Sequence, residues 1–110
     1  MANKYINKAF DLSTTGATTI YTVPAETVAI VKTVQAYNDT ASTVTVTLSF
    51  TDSSASTTYN IGYASSSVVE QFSLLTDSLL VLEESDVLKL TASVGTQVTG
   101  VASILEQDRT

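Results

Sequence analysis

The chain has 110 residues and a formal net charge of −6, from 11 acidic against 5 basic side chains, and contains neither cysteine nor histidine. Disulfide staples, thiolate or imidazole metal sites and histidine-based catalysis are therefore excluded. The five bases, Lys4, Lys8, Lys32, Lys89 and Arg109, are too scattered to form a nucleic-acid-binding surface.

Many Ser, Thr and Val residues with few strong helix formers make an all-β composition, and the length fits one domain, residues 1–110. The first eight residues have no apolar stretch of the kind a secretory signal needs, so the expectation is synthesis and folding in the cytoplasm. Apolar runs such as Leu79-Leu80-Val81-Leu82 are far too short to span a bilayer, so no membrane partner is expected.

In chain order, Tyr5–Leu12 is the first predicted strand. Ile6, Phe10 and Leu12 share one parity and Lys8 intrudes on it, which marks an edge. Ser13–Gly16 is a turn, and Thr18–Val23 is a short strand closed by Pro24, the only proline. Thr27–Tyr37 is rich in apolar residues on both parities: Val28, Ile30, Val34 and Ala36 on one, Ala29, Val31 and Tyr37 on the other. Asn38–Ser42 is a turn leading into Thr43–Thr51. There Val44, Val46, Leu48 and Phe50 alternate with hydroxyl residues, the period-two signature of a half-buried strand. These two runs are expected to pair as a hairpin.

Thr57–Tyr63 comes next, broken near Gly62 at an expected bulge. Val68–Leu74 and Ser78–Leu82 are the next strands. Glu83–Asp86 is a tight acidic turn, Val87–Val94 alternates again, Gly95-Thr96-Gln97 reads as a hairpin loop, and Val98–Glu106 is the last strand. Eight or nine short strands and no helix predict a two-sheet antiparallel β-sandwich, Ig-like or jelly-roll-like.

No motif carries chemistry. A serine nucleophile needs a positioned base, and no Ser-x-x-Lys is present. Glu83, Glu84 and Asp86 lack the EF-hand spacing, so no metal, cofactor or catalytic residue is assigned. Tyr59 and Tyr63, four apart in a strand, are expected to share a face and would be the platform of a host-glycan-binding module. Such tyrosines more often cap a core with the hydroxyl outward.

The second apolar faces are more informative. Val31, Tyr37, Leu79, Val81, Val101 and Leu105 cannot all enter one thin core beside their neighbours. They are the candidate interface residues, since monomers seldom expose so much apolar surface. The expected partner is the chain itself, in a closed cyclic homo-oligomer with a trimer favoured.

Three strings carry a family resemblance: Ile20-Tyr21-Thr22-Val23-Pro24-Ala25-Glu26-Thr27-Val28-Ala29-Ile30-Val31-Lys32, Leu82-Glu83-Glu84-Ser85-Asp86-Val87-Leu88, and the closing Ala102-Ser103-Ile104-Leu105-Glu106. Between Thr18 and Glu106 the chain resembles small virion structural proteins of tailed bacteriophages. In these a Tyr-Thr-Val-Pro strand precedes a long strand ending in Asn, and a Leu-Glu-x-Gly-Asp turn precedes the penultimate strand. The turn glycine is Ser85 here. The resemblance implies a β-sandwich subunit on the phage particle, most simply a capsid decoration (cement) protein bound to the major capsid protein or another virion protein. A tail, neck or baseplate subunit is the near alternative.

Overall fold

A computed structural model describes residues 3–75, 79–93 and 98–108. Nine strands are formed: β1 (Asn3–Leu12), β2 (Thr18–Thr22), β3 (Thr27–Asn38), β4 (Val44–Asp52), β5 (Thr57–Ser66), β6 (Glu70–Leu75), β7 (Leu80–Leu82), β8 (Val87–Ala92) and β9 (Val98–Asp108). They make two antiparallel sheets. One runs β1–β9–β3, with β6 and β7 sharing the far side of β3; the other runs β2–β8–β4–β5.

β6 pairs with the stretch Val34–Asn38 and β7 with Ala29–Val31, both antiparallel. The two are successive pieces of one interrupted edge strand. Counted so, the sandwich has four strands per sheet in jelly-roll order. That resolves the choice between Ig-like and jelly-roll-like.

The order corrects two local expectations. β3 and β4 lie in different sheets, so they form an arch and not a hairpin. The buried Asn38 holds that arch: its Nδ2 donates to the carbonyls of Ser42 and Ser66, each at 3.2 Å, and its Oδ1 accepts from the Thr40 amide at 3.0 Å. β8 and β9 are likewise in different sheets, so their connection crosses between sheets; Gly95-Thr96-Gln97 itself, like Ser78 and Val94, lies outside the described residues.

The core lies between the sheets. Leu48, Leu88 and Leu90 come from one side and Val31, Val34 and Ile104 from the other, with Leu12, Leu82 and Val98 filling the remaining space. β1 is an edge, as its intruding lysine implied. Lys8 Nζ lies 5.9 Å from the Tyr21 ring centroid, where the margin of the sandwich keeps its charge solvated.

Candidate functional site

Bulges decide which side chains reach the surface. On β3, Val31 pairs with Ile104 and Thr33 with Ser103, so Lys32 is an extra residue without a partner on β9. One inserted residue reverses the face of everything after it. Ala29 and Val31 therefore point inward before the bulge, and Val34, Ala36 and Asn38 after it. Val31, a candidate interface residue, is fully buried in the core and leaves the set. Its neighbour Ile30 shares sequence parity with the buried Val34 and Ala36, yet lies on the outer face, where it is half-buried.

The outer face of the β1–β9–β3–β7 sheet carries an apolar row along one line of register. Tyr5 on β1 stands opposite Leu105 on β9, Leu105 opposite Ile30 on β3, and Ile30 opposite Val81 on β7. Leu79, just before β7, extends the row. Tyr5 is 74% exposed, Leu79 61% and Val81 57%, so the row is open along much of its length. Lys32 is the cation beside it, with Nζ 5.6 Å from the Tyr5 ring centroid, within the range of a cation–π contact.

The structure thus brings Leu79, Val81 and Leu105 to one place and adds Tyr5 and Ile30. Tyr37 and Val101 lie elsewhere on the same sheet, lining a shallow hollow with Gln35, Gln71 and Gly100. Tyr5 has a period-two signal, since it shares parity with Ala9 on the face away from Phe10, but nothing local distinguishes it from a rim tyrosine. Ile30 was concealed by the bulge.

The outer face of the other sheet is chemically opposite. Thr45 and Ser65 pair through their hydroxyls at 2.8 Å, and Thr51 and Thr58 at 2.7 Å. Tyr63, 75% exposed, is the large apolar group on this hydroxyl lattice. Tyr59 is not beside it. Leu48 pairs with Gly62 and Ser49 with Asn60, so Ile61 is an extra residue and the parity of β5 reverses there. Tyr59 instead packs on Phe50, with ring centroids 5.8 Å apart. The expected two-tyrosine platform is therefore split between two faces.

The acids are structural where they are buried. Asp86 closes the β7–β8 turn: one carboxylate oxygen accepts from the Glu83 amide at 2.9 Å, the other from the Ser53 amide at 3.0 Å and hydroxyl at 3.3 Å. Ser85 in this turn has φ 70°, the left-handed conformation that glycine adopts freely. Among the described residues no three His, Cys, Asp or Glu side chains converge as metal ligands. Tyr21 donates its hydroxyl proton to Glu106. Burial, and then the adjacent carboxylate, push that hydroxyl well above the usual tyrosine range. This pair pins the ends of β2 and β9, from opposite sheets, together.

No protein-family model matches the chain, and no curated protein matches it in sequence. Solved structures do match in fold. A chain in the acid-stable capsid structure of Helicobacter pylori bacteriophage KHP30 is 16% identical, with 96% of this chain and 87% of that one covered, at a TM-score of 0.62. A chain of the disulfide-linked pili formed by Bacillus endospore appendages is 12% identical, over 99% of this chain and 88% of that one, at 0.51. A pentameric capsid protein from metagenomic phage sequences is 16% identical, over 91% and 66%, at 0.47. The first match runs nearly end to end on both chains, and the sandwich has the fold of that phage capsid chain.

Proposed function

We propose that the chain is a non-enzymatic structural subunit of a phage particle, a decoration (cement) protein that binds the assembled shell and stabilises it. The observation that carries this reading is the apolar row Tyr5–Leu105–Ile30–Val81 across one outer sheet face, set against a hydroxyl lattice on the other. A sandwich that opens such an apolar row on an outer sheet face suits a subunit held against neighbours. The end-to-end likeness to a phage capsid chain supports a virion role. The resemblance of the Tyr-Thr-Val-Pro and Leu-Glu-x-x-Asp strings to small phage virion proteins points the same way. The non-enzymatic part rests on the missing histidine and cysteine and on the engagement of Asp86 with backbone amides. A ligand that binds only the assembled form stabilises that form by mass action, and an oligomer does so with avidity.

A tail, neck or baseplate subunit is the second reading. It draws on the likeness in fold to a chain of disulfide-linked pili. Co-sedimentation of the purified protein with expanded empty shells, and separately with isolated tails, tests the two. Saturable binding to shells supports the decoration reading, binding to tails alone supports the second, and binding to neither contradicts both.

A further inference from the structure

We infer that the apolar row of one copy is covered by the β5 side of a second copy, in a head-to-tail contact. This rests on the reading of the row as a subunit interface and names its occupant.

Most of the exposed large apolar side chains fall on two different sides of the sandwich. Tyr5, Leu79 and Val81 belong to the row. Tyr63, Ile61, Val68 and Val69 lie on β5 and the connection after it. β5 is a sheet margin, and none of the described strands pairs with its outer side. Natural edges usually carry charge to keep other chains away, and β1 does so with Lys4, Lys8 and Asp11. β5 has no charged residue from Thr57 to Ser66. Its one protective device is the bulge at Ile61, which twists the edge and disfavours backbone pairing. The contact it offers is therefore through side chains and not through an added strand.

Charge selects the occupant. Two copies at −6 each repel, so they must meet where acids are sparse. The row has the cation Lys32 beside it, and the β5 side ends on the exposed anion Glu70, whose Oε2 accepts from the Ser66 hydroxyl at 2.8 Å. Row against β5 side puts opposite charges at the rim of one contact. Row against row would bring together two surfaces that each carry Lys32. Because the two patches differ, the contact is heterologous and repeats from copy to copy until it closes into a ring.

Two exposed-site variants test this, Val81→Asp for the row and Tyr63→Asp for the β5 side, with masses read by light scattering and folding checked by circular dichroism. Each variant alone is expected to be monomeric, and an equimolar mixture is expected to form a heterodimer and nothing larger, because only one intact pair of patches remains. Association of Tyr63→Asp alone at the wild-type level would overturn the inference. As a second route that leaves the apolar groups alone, Lys32→Glu and Glu70→Lys should each weaken association several-fold and the double swap should restore it; failure of the swap to restore it counts against the contact. A wild-type protein that binds shells saturably yet stays monomeric would sink the head-to-tail contact while leaving the virion role standing.

Discussion

Val31 and Val34 both point into the core although three positions separate them on one strand, because Lys32 is looped out between their partners on β9. That inserted residue turns Ile30 outward, opposite Leu105 and Val81, and so completes the apolar row.

Val31→Asp buries an unpaired charge and should prevent folding, as should Val46→Asp and Leu90→Asp, both at fully buried positions. Val81→Asp, on the outer face of the same sheet, should leave the melting temperature within a few degrees of wild type, since exposed substitutions usually stay within about 0.5 kcal/mol. Its effect should appear in solution mass. Thermal melts and light scattering on the same samples check both halves.

Gly100 on β9, opposite Ala36 on β3, sits where there is no room for a side chain. A Cβ there would sit 2.0 Å from the Gln35 carbonyl oxygen and 2.6 Å from the Phe10 ring. Backbone on one side leaves no flexible group to move away. Gly100→Ala should therefore cost about 2–3 kcal/mol or more in urea unfolding, in the range of overpacked cores. A near-neutral result would show that the two strands can separate.

The acidic turn offers opposite signs from adjacent residues. Asp86→Ala strands the Glu83 and Ser53 amides and should destabilise by about 2–4 kcal/mol. Ser85→Gly relieves a left-handed serine and should stabilise by about 0.5–1 kcal/mol. Chemical denaturation of the two variants reads both signs directly.

Tyr21 gives a pH dependence. Its hydroxyl is held protonated in the fold above the ordinary tyrosine pKa of about 10. The folded-state pKa is the raised one, so this contribution is fully present below pH about 10 and is lost as pH rises beyond it, where the unfolded chain ionises. Tyr21→Phe should be less stable than wild type at neutral pH, with the gap closing in alkaline solution. A gap that stays constant to high pH would contradict the assignment.

The strand grammar was legible wherever one face is buried without interruption. Val44, Val46 and Leu48 alternate with Thr45 and Thr47, and the fold keeps them so. It failed at Lys32, which looks like an ordinary strand position yet reverses the parity around it and so removed Val31 from the surface. The bulge expected near Gly62 is present at Ile61, but its reversal of parity was not carried through to Tyr59, which it separates from Tyr63. Strand partners were also hidden. Asn38–Ser42 has the residues of a hairpin turn, but the alternation on either side says which face is buried and not which sheet it joins. The division of β3 and β4 between the two sheets reveals the arch, which the bonds of Asn38 to Ser42 and Ser66 hold. Of the interface candidates, Val81 and Leu105 were visible as second apolar faces, while Tyr5 and Ile30 required the register across four strands.

The most direct test of the central claim, that the row across β1, β9, β3 and β7 is a subunit interface on a phage particle, is solution mass by light scattering, on the protein alone and then mixed with expanded empty capsids. A closed oligomer that binds capsids saturably is expected, with both properties lost in Val81→Asp. A wild-type monomer that ignores capsids at high concentration would contradict it.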